Sequence, residues 1–416
     1  MLVEFSVGNF RSFKDIQTLS MVAAPISSKN KELDEQNTFQ ATPKLKLLKT
    51  KAIYGANGSG KSNLIDAMMT FLVLISDSLK ENTFSSLFNS PFLFSTLSKE
   101  EPSFFQIIII IEGVLYRYGF ETNEKGIIAE WLFATPNQRE VFYFKRNGQN
   151  LEINDKYLKG AKKIQHLLGD SSPIFKNTSL FITILYSLNN SVALLFEKYF
   201  KKLFIDVANS EMYSLEKLKR SFSTKYFTEG EFRKEIINLL KFADSGIENM
   251  DNVEIGNGEE KEDVIIFGSS IYNDEGDKVG LSKLPFFAHA SEGTRKVFDI
   301  APMLYSSLEN SCPLIIDEFD SKLHPIITKK IVELYNKNEN NAQLIFVTHD
   351  TNLLDNKLLR RDQIAFIEKD KFGASHLYNL VEFKGVRNDA SFEKDYLDGR
   401  YGAIPFVGNF EYVFSK

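Results

Sequence analysis

The stretch AIYGANGSGKSNLIDAM, residues 52–68, is the part of the sequence that indicates the fold most clearly. Its first residues are apolar and lead to a glycine, which predicts a buried strand. The residues after Lys61 are apolar on nearly every side, which predicts a buried helix. The spacing Gly-x-x-x-x-Gly-Lys-Ser between them is typical of a loop whose backbone N–H groups and following helix surround the phosphates of a nucleotide.

Each residue type in this loop has an expected role. The glycines let the backbone approach the phosphates, Lys61 reaches the β- and γ-phosphates, and the hydroxyl of Ser62 binds Mg²⁺. The predicted nucleotide-binding residues of the loop are Gly55, Ala56, Asn57, Gly58, Ser59, Gly60, Lys61, Ser62 and Asn63.

Two further apolar segments end in polar residues. The segment PLII (313–316) precedes Asp317 and Glu318, and we expect Asp317 to hold Mg²⁺ and Glu318 to polarise an attacking water. Asp317 follows Lys61 by 317 − 61 = 256 residues, which is much farther than in small GTPases and simple kinases, so a large insertion lies between them. The segment LIFVT leads to His349, which we expect to hydrogen-bond the γ-phosphate and sense its presence.

The segment ASEGTRKVF begins another predicted helix. Ser291 and Gly293 lie at its start, where a hydroxyl, backbone N–H groups and the positive end of the helix can bind an anion. An ordinary serine cap is the alternative explanation. Because the chain already has one phosphate site, a second one makes sense if it serves a nucleotide held by another copy of the chain.

In chain order these segments resemble the ATP-binding-cassette (ABC) ATPases of the SMC/RecF branch. GANGSGKS resembles their Walker A motif, LIIDEFD their Walker B motif, SKLH their D-loop and VTHD their switch histidine. SEGTR resembles their signature motif without its usual leucine start and second glycine. The resemblance implies that a signature segment contacts the nucleotide of a second copy through Ser291, Glu292, Gly293 and Thr294.

The opening VGNFRSFKD is similar to the first strand and arginine turn of RecF-type proteins, which implies that Arg11 lies near the nucleotide. Other segments, among them YRYGFET, EGTRKVF and GRYGAIP, resemble AAA-family ATPases of bacterial phage-defence and abortive-infection loci. These are similar to the ATPase half of overcoming-lysogenization-defect (OLD) nucleases and to PARIS-like ATPases. The resemblance implies an effector protein encoded nearby.

The expected fold is α/β: a P-loop NTPase head of ABC-ATPase type with a mixed or parallel sheet, an antiparallel β subdomain and an inserted helical lobe. Alternating β-rich segments separated by turns predict the hairpins, and helical periodicity predicts the lobe. The predicted boundaries are a discontinuous head formed by residues 1–75 and 284–416, a β subdomain at 76–157, a helical lobe at 158–250 and a β return at 251–283.

Composition limits the remaining possibilities. The net charge of −5 argues against a strongly basic nucleic-acid coat, and the single cysteine, Cys312, fits a reducing compartment. We expect a cytoplasmic protein without a signal peptide or membrane partner, because no apolar run is long enough to cross a membrane. The longest such run, 180–196, is interpreted as a buried helix. The chain lacks the Asn-Lys-x-Asp motif for guanine and the Asp-x-Asp motif of a TOPRIM nuclease, which favours ATP as the nucleotide.

The leading hypothesis is an ATPase whose two copies enclose two ATP molecules and Mg²⁺ head to tail, with closure controlling an effector in antiphage defence. A RecF-like DNA-binding ATPase of repair or recombination is the alternative, and a non-hydrolysing scaffold is a third option.

Three further sets of positions are candidates. A basic cluster could touch nucleic acid, but its interleaved glutamates favour a solvated helix face. Arg400 could contact the nucleotide or an effector, and one of four glutamines is the candidate Q-loop residue. The positions in these sets are Lys217, Lys219, Arg220, Lys225, Arg233, Lys234, Arg400, Gln106, Gln138, Gln149 and Gln165.

Overall fold

The computed structural model describes residues 1–79, 90–162, 176–207, 223–230, 232–255, 262–387 and 390–405. The strands, numbered in chain order, are β1 Leu2–Gly8, β2 Gln17–Ser20, β3 Thr38–Thr42, β4 Leu45–Leu48, β5 Thr50–Tyr54, β6 Ser103–Ile111, β7 Val114–Asn123, β8 Gly126–Thr135, β9 Val141–Asn147, β10 Asn150–Ile153, β11 Phe204–Asp206, β12 Asn249–Ile255, β13 Glu262–Tyr272, β14 Lys278–Pro285, β15 Pro313–Ile316, β16 Gln343–Val347, β17 Ile364–Lys369 and β18 Ser375–Asn379.

The α-helices are α1 Lys31–Gln36, α2 Lys61–Asp77, α3 Phe181–Ser187, α4 Ser191–Phe200, α5 Arg233–Ala243, α6 Phe286–His289, α7 Glu292–Asn310, α8 Pro325–Lys337 and α9 Phe392–Leu397. Short 3₁₀ turns occupy Thr351–Leu353, Arg361–Gln363 and Leu380–Glu382. None of these helices is long and apolar enough to cross a membrane.

A six-stranded sheet carries the predicted phosphate-binding segment. Its order is β11-β15-β16-β5-β17-β18, and every neighbouring pair is parallel except β17 with β18. All residues of β5, β15 and β16 are buried, as expected for parallel strands covered on both faces. Because these three strands run in the same direction, the loops that follow them lie at one edge of the sheet.

A seven-stranded antiparallel sheet packs against the helix that follows β5. Its order is β10-β9-β8-β7-β6-β1-β2. The side chain of Phe71 on α2 meets this sheet, with its ring centroid 5.8 Å from that of Phe5 and 5.4 Å from that of Phe120. The predicted antiparallel hairpins are therefore present, and β1 and β2 join them in one sheet. Together the two sheets confirm the predicted α/β head with an antiparallel component.

The apolar run 180–196 forms two helices, and the prediction of one buried helix there was wrong. Helix α3 ends at Ser187, and Asn189 has a φ of 56°. The side chain of Asn190 then accepts a hydrogen bond from the Val192 N–H at 3.1 Å and starts α4. Asparagine tolerates the left-handed region and is a favoured helix cap, so this pair divides the run.

Elements between the predicted boundaries 158 and 250 contact the head directly. Strand β11 extends the six-stranded sheet by pairing with β15, and α5 packs against α7. Helix α4 ends at Phe200, and the chain then turns into β11. The division into residues 1–75 with 284–416, 76–157, 158–250 and 251–283 stays a prediction.

Candidate nucleotide-binding site

The loop between β5 and α2, residues 55–60, is built around glycines. Gly58 and Gly60 have φ angles of 75° and 110°, which side-chain-bearing residues rarely adopt. A Cβ atom added at Gly55 would lie 2.3 Å from the carbonyl oxygen of Ile367. Helix α2 begins directly after the loop and has no side-chain cap at its N-terminus. This positive helix end is therefore available to an anion.

Lys61 folds back over this phosphate loop. Its Nζ donates hydrogen bonds to the carbonyl oxygens of Gly55 at 2.8 Å and Ala56 at 2.9 Å. Burial lowers the pKa of Lys61, while the nearby carboxylates of Asp317, Asp320 and Glu318 raise it. The Oγ of Ser59 is buried and has no hydrogen-bond partner within the described part of the chain. These donors and the glycine-rich backbone fit the phosphates of a nucleotide.

Ser62 and Asp317 come together at the ends of two different segments. Asp317 follows β15 and is 1% exposed, and the Ser62 side chain forms a hydrogen bond with its carboxylate. Burial raises the pKa of Asp317, and the bonds from Ser62 and from the Glu318 N–H lower it. A hydroxyl and a carboxylate are oxygen donors that suit Mg²⁺, which takes few protein ligands and completes its shell with water and substrate phosphates. The pair therefore fits the expected ion.

Glu318 and His349 lie in the same electrostatic neighbourhood. Glu318 has a φ of 47°, and the next N–H, that of Phe319, donates to the carbonyl oxygen of Val347 at 2.9 Å. This bond brings the turn after β15 against the end of β16. Burial lowers the pKa of His349, the charge of Lys61 lowers it further, and Asp320 and Glu318 raise it. The imidazole is thus favoured in its neutral form beside a lysine and a carboxylate.

The signature segment, residues 291–294, begins α7. The Oγ of Ser291 accepts from the Thr294 N–H at 3.1 Å, and the Thr294 Oγ1 donates to Asp244 Oδ2 at 2.9 Å. A Cβ at Gly293 would lie 2.6 Å from the Lys322 carbonyl oxygen. Ser291 and Glu292 are exposed. Over the described ranges, no side-chain hydrogen bond or ion pair joins this segment to the phosphate loop of its own chain.

The structure brings Arg11 to the helix of the phosphate loop. The Arg11 guanidinium forms an ion pair with Asp66 on α2, and the amide nitrogen of Asn63 donates to the Ser12 Oγ at 2.7 Å. Burial raises the pKa of Asp66, and Arg11 lowers it. The negative charge of Asp66 in turn raises the pKa of Asp317, so the Arg11–Asp66 pair lies in the electrostatic surroundings of Asp317.

Comparison with known proteins identifies the family. The sequence matches, over residues 52–355, the family described as "AAA domain, putative AbiEii toxin, Type IV TA system". The chain belongs to this AAA-domain family. The expected membership of the AAA family is confirmed.

Two solved structures are similar to this AAA-domain protein. One is the SMC head domain from Thermotoga maritima, with 13% identity and a TM-score of 0.39, covering 91% of this chain and 98% of that one. The other is an SMC head bound to the C-terminal winged-helix domain of ScpA, with 15% identity and a TM-score of 0.41, covering 91% of this chain and 97% of that one. A search of curated proteins found no match.

Sequence reasoning missed Asp320, which contacts the segment that carries His349. Its Oδ1 accepts hydrogen bonds from the Thr348 Oγ1 at 2.6 Å and from the His349 N–H at 3.1 Å. The available signal was an additional acid three residues after Asp317, inside the segment DEFD. A local pattern does not show which strand end that acid reaches.

Several candidates have structural partners instead of a place in the site. The Gln106 Oε1 accepts from the Trp131 indole N–H at 3.2 Å on the antiparallel sheet. Arg400 is exposed and pairs with Asp395 at 2.8 Å. Four of the candidates lie outside the described residues: Gln165, Lys217, Lys219 and Arg220.

Proposed function

We propose that this AAA-domain protein binds ATP with Mg²⁺ and hydrolyses it to ADP and phosphate between two copies of the chain. The observation that carries the proposal is the division of the residues into two groups. Lys61, Ser62, Asp317, Glu318 and His349 share one neighbourhood at the edge of the parallel sheet. In the signature segment Ser291 and Glu292 are exposed, and the buried Thr294 hydroxyl donates to Asp244. One chain therefore offers two incomplete halves of a site.

The residues of the first half have distinct tasks in hydrolysis. Lys61 exchanges its bonds to the loop carbonyls for bonds to phosphate oxygens. Ser62 and Asp317 would hold Mg²⁺, which supplies positive charge to the phosphates. Glu318 orients a water molecule and accepts its proton as the water attacks the γ-phosphate. Neutral His349 donates a hydrogen bond from its ring to the γ-phosphate.

The second half acts across the pair of copies. Ser291 and the start of the 19-residue helix α7 offer a hydroxyl and a positive helix end to the γ-phosphate held by the partner. ATP then stabilises the closed pair because its γ-phosphate contacts both copies. Hydrolysis removes the shared contact and shifts the population towards open or separate chains.

We further propose that closure controls an effector protein in antiphage defence. The family description includes a toxin of a type IV toxin–antitoxin system, which supports a role beside a second protein. The elements between residues 176 and 250 fit the transmission of closure, because Asp206 on β11 accepts the Asp317 N–H through its carbonyl oxygen at 2.8 Å. Its carboxylate also pairs with Lys296 on α7 at 3.0 Å. These elements thus touch both halves of the site.

The test is the Glu318→Gln variant, which keeps the shape of the side chain but removes the base. We expect it to bind ATP and to elute as a dimer in size-exclusion chromatography with light scattering, while the wild type returns to monomer as ATP is consumed. The Lys61→Ala variant is the matched control and should stay monomeric. A Glu318→Gln protein that remains monomeric in saturating ATP and Mg²⁺ would count against the proposed function.

A further inference from the structure

One carboxylate oxygen joins two of the segments that form the site. Asp320 lies in the turn after β15, and its Oδ1 accepts from the Thr348 hydroxyl at 2.6 Å and from the His349 backbone N–H at 3.1 Å. Thr348 is fully buried at the end of β16. Asp320 therefore fixes the backbone at the end of β16, directly before the His349 side chain.

The other hydrogen bond of Thr348 shows that its hydroxyl is the donor to Asp320. The Thr348 Oγ1 accepts a bond from the Asp350 N–H at 2.9 Å, so its single proton is directed to Asp320. The turn that carries Asp320 is itself closed by the bond from the Ser321 N–H to the Glu318 carbonyl oxygen at 3.0 Å and by the bond from the Leu323 N–H to the Asp320 carbonyl oxygen at 3.2 Å. These two bonds fix the turn, so the position of the Asp320 carboxylate is fixed as well.

We infer that Asp320 is a positioning residue for His349. It fixes the His349 backbone so that the imidazole stays beside Lys61 and Glu318, where the γ-phosphate of ATP is expected. The inference rests on the proposed function for its catalytic consequence, but the contact itself does not depend on ATP. Asp320 acts through the peptide of His349 and need not touch the nucleotide.

Two substitutions separate the hydrogen bonds from the charge. Asp320→Ala removes the acceptor, whereas Asp320→Asn keeps an oxygen at Oδ1 and removes the charge. Asp355 supplies a matched control, because its Oδ1 accepts the Lys357 N–H at 2.9 Å and its carboxylate pairs with Lys329 at 3.1 Å in another turn. We expect Asp320→Ala to lower kcat for ATP hydrolysis about 10- to 100-fold with KM changed less than about threefold. Asp320→Asn should recover most of that loss, and Asp355→Ala should leave kcat within about threefold of wild type.

Combination with His349→Ala tests whether the two residues act as one unit. If Asp320 works through His349, the double variant should be no slower than His349→Ala alone, to within about threefold. Losses that multiply in the double variant, or an Asp320→Asn protein as slow as Asp320→Ala, would overturn the inference.

A readout without turnover distinguishes this inference from the proposed function. The chain has five histidines, so the ring Cε1–H signal of His349 can be assigned in an NMR spectrum by comparison with His349→Ala. In the absence of nucleotide, Asp320→Ala should shift that signal and Asp355→Ala should not. An unshifted signal would refute the positioning role. A wild type without ATPase activity would instead refute the proposed function and leave this measurement valid.

Discussion

Gly58 and Gly60 of the phosphate loop differ in what an added methyl group would meet. Both have positive φ angles, so alanine at either position costs about 1–2 kcal/mol in backbone strain. Nothing lies within 4 Å of a Cβ added at Gly58. A Cβ added at Gly60 would lie 2.3 Å from the Ser375 Oγ and 2.6 Å from the Ser12 Oγ. Gly60→Ala therefore adds an overpacking cost of about 1–3 kcal/mol that Gly58→Ala lacks.

This cost appears in one of two measurable quantities. If the loop keeps its path, the free energy of unfolding falls; if the loop moves away from the serines, ATP binding weakens. We expect the two losses together to be about 2–5 kcal/mol for Gly60→Ala and about 1–2 kcal/mol for Gly58→Ala. Urea denaturation measures the first loss, and isothermal titration calorimetry with ATP measures the second.

A second substitution that removes the Ser375 side chain tests whether this contact is the cause of the larger loss at Gly60. Because the Ser375 Oγ is the atom nearest to the added Cβ, Gly60→Ala should cost less in a Ser375→Gly background than in the wild type. Equal total losses for the two glycine variants, or a larger loss for Gly58→Ala, would show that this reading of the loop is incorrect.

Two further predictions concern buried charges. Burial lowers the pKa of Lys51 to about 8, compared with 10.5 in the unfolded chain. Between about pH 8 and pH 10.5 the unfolded chain therefore binds more protons than the folded one, so the free energy of unfolding rises with pH. Relative to Lys51→Met, the wild type should gain about 2.5 kcal/mol of unfolding free energy between pH 7 and pH 10; a constant difference in urea denaturation would contradict this. Glu130→Leu leaves the buried Arg146 guanidinium without its carboxylate partner and should lower the free energy of unfolding by about 3–5 kcal/mol. The control is Glu140→Leu, which removes a more exposed ion pair with Arg117 and should lower it by about 1 kcal/mol or less. Equal costs in thermal or urea unfolding would exclude that explanation.

Local patterns were sufficient for the elements that carry the site. A glycine spacing, an apolar run and a following helix identified β5, the phosphate loop and α2, since the requirements of that turn are met within about fifteen residues. The strands before Asp317 and His349 were also identified, because parallel strands buried on both faces are continuous apolar runs. The predicted roles of these residues stay predictions.

Contacts between distant segments were not accessible in the same way. The pairing of β11 with β15 and the inclusion of β1 in the antiparallel sheet join residues more than 90 positions apart. The alternation of residues along one strand does not show which distant strand it pairs with. The Asp320 contact with His349 was missed for the same reason, and the division of the run at Asn190 depends on two polar residues that the apolar pattern outweighed.

In the proposed dimer, each ATP is enclosed by the phosphate loop of one copy and the signature segment of the other. Mixing two inactive variants tests it directly. Lys61→Ala disables the phosphate loop and keeps the signature segment, while Ser291→Arg blocks the signature segment at an exposed position and keeps the phosphate loop. Each variant alone should lack ATPase activity and should still fold, as judged by its thermal unfolding.

Neither variant alone can form a complete site, whereas a mixed dimer has one intact composite site out of two. A composite site therefore predicts that an equal mixture regains about a quarter of the wild-type ATPase activity per chain if the copies pair at random, and about half if only mixed dimers form. If both halves of the site belonged to the same chain, mixing would restore nothing. A mixture that stays inactive while mixed dimers are detected by mass spectrometry would contradict a site shared between two copies.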